Sequence, residues 1–172
     1  MIIKRVFLIV CLTAFCQLAV ANSISSINNA HFTIDLVKVD KSARKMYLLS
    51  QGKIVKQYHI ALGENPKGHK VQEGDNRTPE GNYVLDYKKE NSAFYRAFHI
   101  NYPNLNDIKN ANELGVHPGG QIMIHGQKNE STKNPKLVQR FNWTNGCIAL
   151  TNKEMDELLE LVDSGTKIKI EW

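Results

Sequence analysis

Cys147 and His125 are the residues whose types could carry covalent chemistry. Cys147 stands in Trp143-Thr144-Asn145-Gly146-Cys147-Ile148-Ala149, and His125 in Ile124-His125-Gly126 upstream. A thiol acts as a nucleophile through its thiolate, which a neighbouring base generates near neutral pH. A cysteine and a histidine brought together by the fold can therefore attack a carbonyl, with the imidazole taking and later returning the proton. The developing oxyanion needs donors aimed at it. The backbone N–H of Cys147 and those of Asn145 or Gly146 are the natural supply, and Asn145 can add a side-chain donor. Taken singly, each residue has a plainer reading: Cys147 as a small core residue, His125 as a core histidine at a strand end, Asn145 as a turn residue.

Arg77, Tyr102, His117, Trp143 and Thr144 are weaker candidates for substrate contact, and Trp143 could equally pack beside the cysteine. His117 and His69 could be imagined as metal ligands together with His125. However, the chain has no H-E-x-x-H motif or Cys/His cluster, so no metal and no cofactor is expected. The Asn-x-Ser/Thr triplets at Asn129 and Asn142 are short enough to arise by chance.

The start of the chain sets the context. Lys4 and Arg5 precede an apolar run from Val6 to Val20, broken only by Thr13 and Gln17, and Ala19-Val20-Ala21 is a small-x-small ending. This pattern is that of a cleaved secretory signal peptide over residues 1–21, with a single membrane anchor as the alternative. Of the three cysteines, Cys11 and Cys16 lie inside this segment, which leaves Cys147 without a partner. An unpaired cysteine in an exported chain is either a working thiol or an intermolecular bridge. Removing residues 1–21 leaves 151 residues and lowers the formal charge from +5 to +3, through loss of Lys4 and Arg5. That mild basicity suits an anionic polymer, and nothing reads as a nucleic-acid patch. No stable membrane span is expected after cleavage.

The elements that must position the pair follow from periodicity. Residues 22–30 are a polar lead-in, and residues 31–172 form one domain. From His31 to Asp40 the chain alternates, with Phe32, Ile34 and Leu36 assigned to one face and Val37 and Val39 closing the strand. Met46–Leu49 and Ile54–Leu62, the latter through Ile54, Tyr58 and Ile60, flank a turn at Ser50-Gln51-Gly52-Lys53. Residues 63–75 are a long loop, Thr78-Pro79-Glu80-Gly81 a tight turn, and Tyr83, Leu85 and Tyr87 mark the next strand. Phe94–Ile100 is a further strand, Asn104–Leu114 a helix stopped by Gly115, and Gln121–Ile124 a short buried strand that ends at His125. Asn134-Pro135 starts a helix over Lys136–Phe141. Cys147–Leu150 is a buried strand. Thr151-Asn152-Lys153-Glu154 is a capping box, with Leu150 and Met155 as its staple. It opens a helix whose apolar face is Met155, Leu158, Leu159 and Val162 and which Gly165 ends, before a last strand through Ile168, Ile170 and Trp172.

Across most of its length the chain resembles the YkuD-type L,D-transpeptidase catalytic domain. The resemblance is carried by Lys45-Met46-Tyr47-Leu48-Leu49, Gly52-Lys53-Ile54-Val55 and Ile60-Ala61-Leu62-Gly63. It continues through Gly74-Asp75-Asn76-Arg77-Thr78-Pro79-Glu80-Gly81-Asn82-Tyr83, Ile124-His125-Gly126 and Thr144-Asn145-Gly146-Cys147-Ile148. It implies a mostly β, sandwich-like α+β domain with short helices, Cys147 as nucleophile, His125 as base, and the carbonyl of Gly126 orienting the imidazole ring. It implies action on peptidoglycan stem peptides through a Cys acyl-enzyme, without a cofactor, and susceptibility to carbapenem-type inhibitors. Hydrolysis of the acyl-enzyme, as an L,D-carboxypeptidase or amidase, is an alternative outcome on the same fold, and a catalytically silent cell-wall-binding module is a third. Two residues depart from the family pattern: Asn145 stands where a histidine is usual, and Ala149 where an arginine often follows. A signal peptide without a wall-anchoring repeat points to the periplasm.

Overall fold

The computed structural model describes residues 32–172. The expected leader over residues 1–21 and lead-in over 22–30 lie outside the described residues. From Leu36 onward the alternating pattern produces strands: β1 (Leu36–Asp40), β2 (Lys45–Ser50), β3 (Lys53–His59), β4 (Gly81–Ser92), β5 (Tyr95–Ile100), β6 (Met123–His125), β7 (Ile148–Ala149) and β8 (Lys167–Glu171). Among the described residues three helices interrupt them: α1 (Leu105–Glu113), α2 (Pro135–Val138) and α3 (Asn152–Leu161). The expected mostly β architecture with short helices is the observed one.

The strands form one sheet in the order β3-β2-β1-β8-β4-β5-β6-β7. The β2–β3 turn is set locally: Gln51 (φ +51°) and Gly52 (φ +75°) both take left-handed backbone, as a two-residue hairpin turn matched to strand twist requires. β4 serves both halves of the sheet. Gly81–Val84 pairs with β8, and the rest of the strand runs on against β5 through two register shifts. Two pairings are parallel, β1 with β8 and β6 with β7. The far ends of the sheet meet where Ala61, just past β3, exchanges hydrogen bonds with Ala149 of β7 at 3.0 and 2.8 Å.

The core lies between the halves of the folded sheet and under α3. It is built on Met46, Leu48, Ile60, Leu62, Leu85, Phe98, Ile100, Ile124, Ile148 and Met155. The α3 capping box forms in both directions, and Met155, Leu158, Leu159 and Val162 are all buried, as their spacing predicts. A second box, Asn104 with Asp107, opens α1.

In β1 Val37 and Val39 face the core, because they lie in register with Leu48 and Met46 on one side and with Ile168 and Ile170 on the other; Leu36 is only half-buried. Several expectations need correction. Ile54 points outward from β3, beside the register shift at Leu48/Leu49, and Tyr87 is exposed beyond the shift in β4. Gly165 does not end the last helix. α3 stops at Leu161 with Val162 already extended, and Gly165 lies in the following turn, donating to Leu85 O at 2.7 Å. α2 is one turn long rather than reaching Phe141: the Arg140 and Phe141 amides bond three residues back, to Leu137 O and Val138 O, and Arg44 holds the carbonyls of Gln139 and Arg140 at 2.6 and 2.7 Å. Trp172 is half exposed at the end of β8.

Candidate active site

The parallel pair β6–β7 places the two reactive residues. Ile124 is in register with Ile148 and His125 with Ala149, so Cys147, one residue before β7, falls beside Met123. Met123 and His125 are two residues apart on one strand and share a face. Cys147 and His125 therefore lie on the same face, while Ile124 and Ile148 point into the core on the other, both fully buried.

His125 is held on several sides. Its Nδ1 lies 2.7 Å from the Gly126 carbonyl oxygen. A carbonyl only accepts, so Nδ1 carries the proton and the neutral ring presents its Nε2 lone pair. Phe94 tilts against the ring with centroids 4.6 Å apart, and Trp143 meets it edge-on at 5.6 Å. Trp143 is anchored through its indole N–H, which donates to Gln139 Oε1 at 3.5 Å. Gln139 is itself buried, bonding Ala149 O at 2.8 Å and sharing a bond with Gln127. Gly126 must be glycine on steric grounds. A Cβ there would stand 2.7 Å from Asn152 Oδ1 and 2.9 Å from Tyr95 Cβ, where Asn152 also accepts the Gln127 amide.

The turn before Cys147 is built by Thr144. Its hydroxyl donates to the Cys147 carbonyl at 2.7 Å and accepts the Gly146 N–H at 3.2 Å. Its backbone is tied to Leu62 O and to the Glu64 N–H. Gly146 has φ +127°, and a Cβ there would come 2.7 Å from the Arg77 carbonyl oxygen. Only glycine lets the turn approach the 77–78 segment this closely.

Burial sets the resting protonation. Loss of solvent pushes the Cys147 thiol above its usual range, outweighing the Met123 amide and the more distant Lys70 charge, which favour the thiolate. Burial also pulls His125 below the usual histidine range, against the Gly126 carbonyl, which favours its protonation. Both effects favour the neutral pair, SH and imidazole. The thiol lies 3.6 Å from Gln121 O, a weak acceptor contact.

The remaining sequence candidates take different places. Thr144 is buried and its hydroxyl is engaged in the turn. The Gly146 N–H is occupied by Thr144, which leaves those of Asn145 and Cys147 as the candidates for an oxyanion. Asn145 is exposed and lines a small cavity. Tyr102 is buried, donating to Pro118 O at 3.0 Å, so it is a core residue that does not present its hydroxyl to a groove. Arg77 contributes its carbonyl against Gly146 and directs its guanidinium to His69 O at 3.4 Å. His117 is exposed beside Glu73 at 3.3 Å. Trp143 borders a groove of about 900 Å³ with Gln127, Leu137, Val138 and Phe141. Sequence reasoning did not single out Gln127, Gln139, Phe94 or Lys70, because their roles depend on contacts between distant segments. Among the described residues no group of three His, Cys, Asp or Glu side chains could hold a metal ion, and no helix is long and apolar enough to cross a membrane.

The folded sheet, with a cysteine and an oriented histidine on one face of a parallel strand pair, is the architecture of a mostly β cysteine–histidine domain. The family model of the YkuD L,D-transpeptidase catalytic domain matches residues 34–170, and the chain belongs to that family. It is 30% identical over 114 residues, covering 65% of this chain, to YafK of Escherichia coli (strain K12), whose L,D-transpeptidase assignment is provisional. Its fold is similar to that of the helical cell shape determining protein Pgp2 from Campylobacter jejuni, with a TM-score of 0.60, 27% identity and 86% of this chain covered. It is also similar to an Enterococcus faecium L,D-transpeptidase, with a TM-score of 0.53 and 16% identity over 81% of this chain and 50% of that one. The chain spans 39% of YafK's length and 53% of the Pgp2 chain.

Proposed function

We propose that this protein is exported to the periplasm and acts there as a cysteine L,D-transpeptidase on peptidoglycan stem peptides. The observation that carries the reading is the 2.7 Å contact from His125 Nδ1 to Gly126 O. It commits one ring nitrogen as a donor and leaves Nε2 as a base on the face that holds Cys147.

In this reading the Cys147 sulfur attacks the carbonyl carbon of the third stem residue while its proton passes to His125 Nε2. The oxyanion takes the backbone N–H of Cys147, with Asn145 as second donor. The C–N bond to the terminal D-alanine then breaks, and the imidazolium returns its proton to the leaving amine. A thioester remains. The amine of a second stem attacks it, loses a proton to His125 and restores the thiol. Burial favours the neutral pair at rest, so in this reading the thiolate forms as the substrate carbonyl is engaged. The fold likeness to Pgp2, a cell-shape-determining protein by its title, extends the proposal to a role in cell shape.

The test is mass analysis of muropeptides after incubation of purified tetrapeptide muropeptides with the protein and with its Cys147→Ala variant. Dimers joined through the third residue, absent from the variant, are the expected result. Tripeptides without dimers would replace transpeptidation by hydrolysis. No change in either sample would overturn the enzymatic reading and favour a silent wall-binding module.

A further inference from the structure

A cavity of about 330 Å³ adjoins the cysteine turn and shares no lining residue with the Trp143 groove. Its walls include Lys70, Glu73, Asn76, Ile122 and Asn145. Asn145 stands two residues before Cys147. Ile122 follows Gln121, whose carbonyl is the thiol's 3.6 Å neighbour, and its Cδ1 lies 3.2 Å from where a Cβ on Gly146 would be. The cavity therefore sits against the nucleophile's own turn.

Lys70 is the unusual member of this wall. It is only 3% exposed, and a lysine is seldom so buried without full pairing. Its ammonium has three N–H groups but, among the described residues, two acceptors: Gln72 O at 3.0 Å and Asp75 Oδ1 at 2.9 Å. Asp75 does not belong to Lys70 alone. Its two oxygens also accept the amides of Val71, Gln72 and Arg77. A strut for the 70–76 turn would account for the two bonds. It does not account for the third N–H or for the residue's place in the wall of a cavity beside the nucleophile. The carboxylate that lines the cavity, Glu73, is exposed and next to His117. The Lys70 charge also reaches the Cys147 sulfur, where it favours the thiolate against the larger effect of burial.

We infer that this cavity is a carboxylate-binding subsite in which Lys70 Nζ, with the side-chain amides of Asn76 and Asn145, holds a free carboxylate of the stem peptide next to the scissile bond. The inference rests on the reading of the protein as a stem-peptide enzyme and names the group by which that substrate is recognised. A stem offers two such groups, the terminal carboxylate of the leaving residue and the side-chain carboxylate of a diamino acid at the third position. Lys70 acts on the ligand without touching the reacting atoms.

The test is calorimetric titration of the Cys147→Ala protein with three probes. These are a D-alanine-terminated tetrapeptide stem containing diaminopimelic acid, its C-terminal carboxamide, and its third-residue side-chain carboxamide. One amidation is expected to weaken binding roughly 10–100-fold, the range for a hydrogen bond to a charged group, and which one it is identifies the source of the carboxylate. Adding Lys70→Gln should bring the acid and that amide to equal affinity. Asn76→Asp, which leaves the Lys70 contacts in place and keeps a residue type that tolerates the φ of +55° there, should also reduce the preference for the acid. Equal weakening of all three probes by Lys70→Gln would make Lys70 a strut and overturn the inference. So would a carboxylate preference that survives the change, or binding of none of the probes. Turnover of the same tetrapeptide by the unaltered protein separates the two readings. A carboxylate preference without turnover would sink the enzyme and leave the subsite standing.

Discussion

The Thr144 hydroxyl donates to the carbonyl oxygen of Cys147 at 2.7 Å while accepting the N–H of Gly146 at 3.2 Å. One buried side chain thus closes the turn that aims the nucleophile. Thr144→Val keeps the shape and removes both bonds, leaving two polar backbone groups without their partner at a cost of about 1–3 kcal/mol. Thermal unfolding should show the loss of stability, and turnover should fall at least tenfold. Thr144→Ser should retain both properties. Full activity in the valine variant would show that the turn is held by its other contacts.

A neutral resting pair has a pH signature. Burial raises the Cys147 thiol, so alkylation by iodoacetamide in the absence of substrate should be slow at neutral pH and rise only above the ordinary thiol range, about 8.5. Burial lowers His125, so the acid limb of kcat/KM should fall below the ordinary histidine value of about 6.5. An alkylation plateau already reached at pH 6–7 would instead indicate a preformed thiolate–imidazolium pair. The linked stability follows the same signs. Below the ordinary histidine value the unfolded chain takes up the proton that folded His125 resists, and above the ordinary thiol value it gives up the proton that folded Cys147 keeps. Both groups therefore favour the fold most strongly between those two values, and the midpoint of urea unfolding should decline on either side.

Lys41 is fully buried, and its Nζ bonds Gly68 O at 2.8 Å, Thr78 O at 2.8 Å and Glu80 Oε1 at 2.9 Å. Thr78 in turn accepts the Gly63 N–H at 3.1 Å, and Gly63 packs against Gly146. Lys41→Met should destabilise the fold by about 3 kcal/mol, because it leaves buried acceptors and a carboxylate uncompensated. Urea denaturation measures this directly. A change below 1 kcal/mol would show that water replaces the ammonium.

Carbapenems present a strained acyl group to the same thiol. Incubation with meropenem is expected to add one drug mass to the protein and none to the Cys147→Ala variant, read by intact mass spectrometry. The His125→Gln variant should acylate at least a hundredfold more slowly, the lower end of what a general base contributes. Equal rates with and without His125 would remove it as the base.

Much of this architecture could be read from the chain because it is local. The hairpin at Gln51-Gly52, the capping box of Thr151 and Glu154 and the apolar face of α3 depend on residues a few positions apart, and each forms as expected. The inward face of β1 is not legible in this way. Alternation shows that two faces exist, but only the neighbours β2 and β8 decide which face is inward. The segment after α2 is likewise held by Arg44, almost a hundred positions earlier in the chain.

The same division holds at the site. The residue types Cys147, His125, Gly126 and Gly146 and their order identified the family and the candidate chemistry, because nucleophile, base and tight turn are properties of those side chains and of glycine itself. The parallel pairing of β6 with β7, which puts thiol and imidazole on one face, was not visible in the sequence. Nor were the desolvation that favours a neutral pair, the engagement of the Gly146 N–H by Thr144, or the burial of Lys70 beside the cysteine turn. Each of these depends on which distant segments pack together and on how much water they exclude, and that is decided only when the sheet closes.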